Sequence, residues 1–256
     1  MYLYIYSIIF LVGIVIGSFL NVCIYRIPEN QSIVYPSSHC SNCHKPLKPT
    51  DLIPIFSYLI LKGSCRYCSH KISLRYPMVE FLTGIVFVLL LYKYHLNIDL
   101  IFYLLLFSIL ICITFIDYDH QIIPDGLVLL GFVIGLIYKL ALYYFVGTPI
   151  EVLNSLLGFL AGGGFFLLIA VISNGGMGGG DIKLMAMLGF WFGWRDIILI
   201  SFLSFIIGSV ISIMLLTTKI KSRKDAIPFG PFIGIATLIV ILYKNYILMH
   251  YINLFM

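Results

Sequence analysis

The acidic residues of one short segment, 115–125, are the first candidates for chemistry. Asp117 directly follows a long apolar run and is the deepest of three acids there, whereas Asp125 follows Pro124 and suits the cap of a helix. Charged residues at the edge of a membrane helix are costly and tend to be functional. We therefore expect Asp117 to be a working carboxylate, with Asp125 and then Asp119 as the alternatives.

A further acid, Asp181, ends a glycine-rich run that begins at Gly175. Glycine lets backbones approach closely and adopt conformations that other residues avoid, so this run is expected to bring Asp181 beside Asp117. Two close carboxylates cannot easily both ionise, so one stays protonated while the other acts as general base for a water molecule. Such a pair hydrolyses a peptide bond without a metal. The alternative is a flexible loop in which Asp181 caps the next helix.

Two Cys-x-x-Cys motifs lie in one polar, basic and proline-rich segment, 26–76. Four thiolates can close a tetrahedral zinc site, and its bonds would replace the hydrophobic core that this segment lacks. Two disulfides are the alternative, but a cytoplasmic loop is kept reducing. We therefore predict structural zinc, held by Cys40, Cys43, Cys65 and Cys68. Three neighbouring histidines could substitute as ligands but are expected to be solvated: His39, His44 and His70.

The elements that position these residues must be membrane helices. Hydrophobic residues make up 61% of the 256 residues and charged residues only 11%, which leaves too little polar surface for a water-soluble protein. The net charge of +5 reflects basic loops, so nucleic-acid binding is a poor explanation. Since a span needs about 20 apolar residues, the sequence predicts spans at about 3–24, 78–91, 100–116, 127–146, 152–172, 182–194, 197–216 and 233–247.

The segment 182–194 is the shortest of these spans, and the distribution of basic residues supports it. Lys and Arg concentrate in the loops 26–75 and 219–224, which share the cytoplasmic side only if 182–194 crosses the membrane. Both termini then lie outside, and the two acidic segments fall at the cytoplasmic face. Arg195 and Asp196 are expected to form a tight external turn.

Taken together, the motifs resemble those of the type IV prepilin peptidases, a family of GxGD-type aspartic membrane proteases. Residues 17–22 (Gly-Ser-Phe-Leu-Asn-Val) and 25–28 (Tyr-Arg-Ile-Pro) are similar to the opening signature of that family, and the cysteine motifs follow them. The second half contributes Ile-Pro-Asp at 123–125, the Gly-x-Gly-Asp-x-Lys motif at 178–183 and Pro-Phe-Gly-Pro at 228–231. The resemblance covers most of the chain.

The resemblance implies an all-α polytopic membrane protein with about eight transmembrane helices. Residues 1–25 would be the first helix, 26–76 a cytoplasmic loop domain with the four-cysteine zinc-type site, and 77–256 the membrane-embedded aspartic peptidase domain. It implies a catalytic pair, Asp117 and Asp181. It also implies supporting residues around them, namely Gly178, Gly180, Lys183 and Asp125.

The activity that the resemblance implies is removal of the short basic leader of type IV prepilins and pseudopilins at the cytoplasmic face of the bacterial cell membrane. Many members then methylate the new amino terminus with S-adenosylmethionine. The segment 26–76 contains no recognisable glycine-rich cofactor fingerprint, so the sequence does not identify the residues that bind this cofactor. The expected partners are the prepilin substrates and the lipid bilayer, and the oligomeric state stays open.

Two other classes of protein compete with this interpretation. An ion-coupled membrane transporter can use a glycine-broken segment with an intramembrane acid, but it predicts acids near the bilayer centre and two similar halves. A metal-dependent assembly protein would tolerate loss of either acid. Within the peptidase interpretation, we expect Glu29, Asp51 or Glu80 to attract the basic leader, and the loop 219–224 to lie near phospholipid headgroups.

Overall fold

The computed structural model describes residues 2–222 and 225–255, and the named elements within them are all helices. Arg223 and Lys224, two basic residues of the predicted headgroup loop, lie outside the described residues. The α-helices are α1 (Tyr2–Arg26), α2 (Phe56–Ile60), α3 (Arg75–Tyr94), α4 (Ile98–His120), α5 (Asp125–Ala141), α6 (Val152–Ile172), α7 (Gly179–Thr217) and α8 (Gly230–Phe255). A 3-10 turn, Pro49–Leu52, precedes α2, and a π-helical turn, Leu142–Val146, extends α5.

Seven helices in the described part of the chain are long and apolar enough to cross a membrane: α1 and α3 to α8. Their apolar composition follows from the bilayer, in which backbone polar groups must be satisfied within the helix and side chains face lipid. The predicted all-α polytopic fold is confirmed.

The longest helix, α7, consists of two arms joined at Gly193, where φ is +77° and ψ is 177°. Only glycine adopts this conformation readily. Gly162 of α6 lies against the Met185 carbonyl of the first arm and the Ile197 side chain of the second. The two arms therefore run back along each other, and each packs on α6.

The first arm of α7 corresponds to the short span predicted at 182–194. The predicted position of the turn differs by a few residues, because Arg195 and Asp196 are helical and begin the second arm. Asp196 instead accepts a hydrogen bond from Lys244 of α8, at 2.7 Å between Nζ and Oδ2. The chain turns at Gly193 because that residue alone of the three lacks the Cβ that the required φ would strain.

Side chains from the preceding helices hold both ends of this turn. Lys139 Nζ donates to the carbonyl of Trp191 at 3.4 Å, near the end of the first arm. Asn154 Oδ1 accepts from the backbone N–H of Trp194 at 3.3 Å, at the start of the second arm. These bonds satisfy backbone groups that a broken helix would leave without partners. Asn154 is itself held by Glu151, at 2.9 Å from Nδ2 to Oε2.

The chain divides into two compact units, Met1–Cys112 and Ile113–Met256. In the first unit, α1 packs closely on α3 through glycines. A Cβ built at Gly13 would lie 2.7 Å from the Cα of Gly84, and one at Gly17 would lie 2.7 Å from the Cα of Glu80. Small residues allow this approach, which is how helices associate without a hydrophobic driving force in lipid. Arg26, at the end of α1, donates to the carbonyls of Ser32 and Pro36 at 2.9 and 2.7 Å.

In the second unit, aromatic residues fill the space between α6, the second arm of α7 and the start of α8. The rings of Phe166 and Phe205 stack with centroids 5.5 Å apart, and Phe205 and Phe229 lie 5.2 Å apart. Aromatic pairs of this kind add to the stability that their buried area provides. They fix the position of the residue after Phe229, Gly230, whose backbone N–H donates to Asp117.

Candidate active site and metal centre

Asp117 lies in the last turn of α4 and is only 5% exposed. Its Oδ2 accepts a hydrogen bond of 2.7 Å from the backbone N–H of Gly230, the first residue of α8. The free N–H groups and the dipole at a helix N-terminus favour a carboxylate at this position. A Cβ at residue 230 would lie 2.8 Å from Asp117 Oδ2. Glycine is therefore the residue that fits here.

Sequence reasoning singled out the Pro-Phe-Gly-Pro segment at 228–231 but assigned no role to Gly230. A signal was present, because proline has no N–H group. With Pro228 and Pro231 on either side, the donors left in this segment are those of Phe229 and Gly230. Gly230 and Asp117 are 113 residues apart, so the sequence did not indicate that Asp117 accepts from the Gly230 N–H.

Asp181 lies in the first turn of α7 and is 9% exposed. Its Oδ1 is buried and has no hydrogen-bond partner among the described residues. Its Oδ2 lies beside Gly178, 3.1 Å from the position of a Cβ there. The Asp117 carboxyl is close enough to act electrostatically on Asp181. The structure thus brings together the two acids that the sequence singled out.

The glycines before Asp181 differ in how closely other atoms pack against them. A Cβ at Gly180 would lie 2.7 Å from the Cβ of Ile123, in the segment that precedes α5. A Cβ at Gly179 would meet nothing within 4 Å. Close approach thus requires glycine at 180 and favours it at 178, whereas position 179 is free. This is the physical reason for the Gly-x-Gly-Asp pattern.

Lys183 and Asp125 form an ion pair near the acid pair, with Nζ 2.8 Å from Oδ1 and 2.9 Å from Oδ2. Both side chains are exposed, at 54% and 72%, so water screens the attraction. Asp125 is the first residue of α5, and Pro124 rather than Asp125 occupies the cap position. Asp119 is also exposed.

The four cysteines of the two motifs converge in the first unit, and all their sulfur atoms lie within 4.8 Å of one another. The sulfur atoms of Cys40 and Cys68 are 3.8 Å apart. A tetrahedral zinc with bonds of about 2.3 Å requires sulfur atoms about 3.8 Å apart. The cluster therefore has the donor set and close to the dimensions for a metal ion.

Two similar turns build this cluster. In the first turn, the N–H of His44 donates to the carbonyl of Cys40 at 2.9 Å; in the second, the N–H of Ser69 donates to the carbonyl of Cys65 at 2.9 Å. His44 and Ser69 have φ of 55° and 56°. Each Cys-x-x-Cys motif thus folds its own turn locally, and the positive φ closes it.

The surroundings of the cluster favour the thiolate form, which binds metals, at two of the four cysteines. At Cys43 the backbone N–H of Lys45 also favours the thiolate, but burial and the neighbouring thiols outweigh it and raise the pKa of Cys43 to about 11. The backbone N–H of His70, followed by the side-chain amide of Asn42, lowers the pKa of Cys68 to about 6. Backbone N–H groups of Cys43 and Asn42 lower the pKa of Cys40. The neighbouring histidines, His39, His44 and His70, are exposed and lie outside the group of converging sulfur atoms.

The three acids expected to attract a basic leader differ in their partners and in their exposure. Asp51 accepts from Arg66 at 2.8 and 2.6 Å, and the guanidinium lowers the pKa of the Asp51 carboxyl. Glu80 is 7% exposed and accepts from the backbone N–H of Ile55 at 2.7 Å. Glu29 is exposed. The structure therefore favours Glu29 over the other two for attraction at long range.

Comparison with known families accounts for both parts of the chain. Residues 11–94 match the bacterial peptidase A24 N-terminal domain, and residues 104–213 match the type IV leader peptidase family. The chain belongs to the type IV leader peptidase family. Proteins named prepilin leader peptidase/N-methyltransferase are similar over nearly its whole length. The one from Bacillus subtilis is 34% identical over 97% of this chain and 98% of its own length.

Two further relatives with the same name come from Neisseria gonorrhoeae and Pseudomonas putida. The first is 36% identical over 88% of this chain and 85% of its own length, and the second 32% identical over 91% and 88%. No solved structure matches the chain. Membership in this family, together with the candidate spans, makes the chain a multi-pass membrane peptidase, and nothing in the comparisons supports the transporter alternative.

Proposed function

We propose that this protein removes the short basic leader of type IV prepilins and pseudopilins and then methylates the new amino terminus. The names of its relatives support both activities. The observation that carries the proposal is a pair of buried carboxyl groups, Asp117 and Asp181, at the ends of membrane helices and within electrostatic range of each other. Buried acids at such positions are expensive and are retained for function.

The hydrogen bonds of the pair suggest a division of roles. Asp117 accepts the N–H of Gly230, which suits an ionised carboxylate acting as general base. Asp181 Oδ1 lacks a donor among the described residues, which suits the carboxyl that holds the shared proton. Asp117 then takes a proton from a water molecule. The oxygen of that water attacks the scissile carbonyl carbon, and Asp181 protonates the carbonyl oxygen. As the tetrahedral intermediate collapses, the C–N bond breaks and the amine accepts the proton that Asp117 took from water. Asp181 recovers its proton from the hydroxyl group as the new carboxyl group forms, which restores the pair.

The orientation and domain roles follow from the same proposal. Residues 1–25 are the first span, 26–76 the cytoplasmic loop domain and 77–256 the membrane-embedded peptidase domain, with the acid pair at the cytoplasmic face. A leader cut at that face carries the positive charges, while the apolar stem of the substrate stays in the bilayer. The loop 219–224, which the structure describes as far as residue 222, is basic. It supports the same orientation because basic loops remain cytoplasmic.

Zinc is the metal we propose for the cysteine cluster, because four thiolates in tetrahedral arrangement are its usual structural ligands. When bound, it supplies the ligand bonds that fold the loop. S-adenosylmethionine is the proposed source of the methyl group. Neither group takes part in the hydrolysis by the acid pair.

The test is cleavage of a purified prepilin by membranes that contain the wild type, Asp117→Asn, Asp181→Asn or Asp125→Asn. Each of the first two changes should lower the cleavage rate by about 10³-fold or more, since an acid pair works as a unit. The exposed Asp125 is the matched control and should keep cleavage within about threefold, because its ion pair with Lys183 is screened by water. Cleavage that survives in both Asp117→Asn and Asp181→Asn would exclude the aspartic mechanism.

A further inference from the structure

The seam between α1 and α3 contains buried polar side chains that leader cleavage does not use. Asn21 is 4% exposed and Glu80 is 7% exposed. The two lie about one helical turn apart along the seam, because Asn21 contacts Tyr76 while Gly17 packs on the Cα of Glu80. An ionisable residue buried in a membrane helix marks a functional site by default.

Asn21 presents a buried acceptor that lacks a donor. Its Nδ2 donates to the carbonyl of Tyr76 at 3.0 Å, and this bond fixes the orientation of the side-chain amide. The other amide atom, Oδ1, is buried and has no hydrogen-bond partner among the described residues. An unsatisfied buried acceptor is costly, so it calls for a ligand that brings an N–H or O–H group.

Glu80 holds a loop residue that is under backbone strain. Its Oε2 accepts from the N–H of Ile55 at 2.7 Å. Ile55 has φ of 61° and ψ of −52°, and the N–H of Phe56 bonds back to the carbonyl of Pro54 at 2.6 Å. This is a γ-turn of the strained type, at a β-branched residue. A competing N–H donor could take the place of Ile55 and release that strain.

We infer that Asn21 Oδ1 and the Glu80 carboxylate bind the new α-ammonium group of the cleaved substrate during methyl transfer. The inference rests on the proposed function. A carboxylate and a buried carbonyl oxygen suit a cation that has N–H donors. The sulfonium centre of S-adenosylmethionine is also cationic but has no such donor, so it would leave Asn21 Oδ1 unsatisfied. The α-ammonium of S-adenosylmethionine does carry N–H donors, and binding of the mature peptide without S-adenosylmethionine distinguishes it from the substrate amine.

The chemistry requires a proton acceptor at this position. An ammonium nitrogen has no lone pair, so it first gives one proton to the Glu80 carboxylate. The freed lone pair then forms an N–C bond to the methyl group of S-adenosylmethionine as the S–C bond breaks, and the sulfur keeps the electron pair. The products are a secondary ammonium and S-adenosylhomocysteine, with one proton released through Glu80 for each methyl group transferred.

The test separates this role from simple helix packing through two variants. Glu80→Gln keeps a carbonyl oxygen for the Ile55 N–H but cannot take a proton. Asn21→Leu removes the acceptor Oδ1 and keeps a side chain of similar size. The matched control is Thr83→Val, because Thr83 is fully buried on the same helix and its hydroxyl donates within α3, to the Val79 carbonyl at 2.7 Å. Each full-length variant is purified and given prepilin with S-adenosylmethionine.

The mass of the mature product reports methylation as a gain of one CH₂, about 14 Da. We expect the Glu80→Gln and Asn21→Leu enzymes to cleave at the wild-type rate while the methylated fraction falls by about tenfold or more, equivalent to about 1.4 kcal/mol. Thr83→Val should retain both activities. A second readout is binding of the mature N-terminal peptide without S-adenosylmethionine. The wild type should prefer the free amine over its N-acetylated form by about tenfold, and Glu80→Gln should lose that preference.

Two outcomes would contradict this inference and leave the proposed function intact. One is normal methylation by Glu80→Gln; the other is an equal fall of cleavage and methylation in both variants, which would make the seam a packing element. A wild-type enzyme that does not cleave prepilin would instead refute the proposed function. The two failures are therefore distinguishable.

Discussion

Each half of the cysteine cluster is closed by hydrogen bonds within a few residues of its own cysteines, as the matching bonds from His44 and Ser69 show. The acid pair is built in another way, from the ends of three helices that are distant in sequence. Asp117 ends α4, Asp181 begins α7, and the donor to Asp117 is Gly230 at the start of α8. One site is local and the other depends on long-range packing.

This contrast decides what each site needs for its stability. The cysteine loop has few buried apolar residues, since the 3-10 turn Pro49–Leu52 and helix α2 contain none among their described residues. With the proposed zinc bound, the ligand bonds would supply the energy that folds it. The acid pair is embedded among membrane helices whose packing is already complete. Removing one of the four cysteines should therefore unfold the loop, whereas adding a methyl group at a closely packed glycine should disturb the acid pair.

Loss of the metal should have the largest effect of the changes considered. Structural zinc contributes about 10–16 kcal/mol to the folding of small zinc-finger peptides, which is more than a loop of this size can replace. We expect Cys65→Ser to lose the metal and to make the loop 26–76 sensitive to trypsin. The measurements are zinc content of the purified protein and the sites of limited proteolysis.

Cys112→Ala is the control for that experiment, because Cys112 is a buried thiol of α4 that lies outside the cluster. It should retain the metal content and the protease resistance of the wild type. A loop that stays resistant in Cys65→Ser would show that packing alone folds it, and the contrast between the two sites would disappear.

The four cysteines that converge could be predicted from the sequence, since Cys-x-x-Cys spacing places two sulfur atoms in one local turn. The two acids could also be singled out, because charge is so rare in this chain that Asp117 and Asp181 stand out at helix ends. The all-α fold follows from the apolar runs. The sequence also separated the segment 182–194 from 197–216, and the structure divides α7 near that boundary, at Gly193.

The features that could not be predicted all depend on contacts between distant segments. The N–H of Gly230 reaches Asp117 only after α4 and α8 have packed. The turn of α7 falls at Gly193 rather than at the charged residues after it, because backbone conformation and not polarity decides where that helix breaks. The orphan acceptor of Asn21 arises from the close packing of α1 on α3. Periodicity and composition carry no information about such contacts.

A single methyl group at Gly180 should have the next largest effect. Its Cβ would lie 2.7 Å from that of Ile123, so α7 would have to shift and carry Asp181 with it. We expect Gly180→Ala to lower kcat/KM for prepilin cleavage by about 100-fold, or about 2.7 kcal/mol. The matched control is Gly179→Ala, where the added Cβ meets nothing within 4 Å. Equal activities of the two variants would contradict the close approach.

The smallest expected effect concerns the turn at the other end of the first arm. Gly193→Ala places a Cβ 2.6 Å from Cγ of Asn154 at a φ of +77°, and we expect it to lower the free energy of unfolding by about 2 kcal/mol. Gly147→Ala is the control: its φ is +75° but its surroundings are open, so the loss should be about 1 kcal/mol. Detergent-solubilised protein unfolded by increasing SDS gives both values.

The activity of the folded Gly193→Ala protein is the sharper measurement. Gly193 lies 12 residues after Asp181, or about 18 Å along a helix, so a strained turn there should leave the acids in place. We therefore expect cleavage per folded molecule to remain near the wild-type value while stability falls. If cleavage fell as far as in Gly180→Ala, the acid pair would depend on the whole hairpin of α7 and not only on the contacts at its own end.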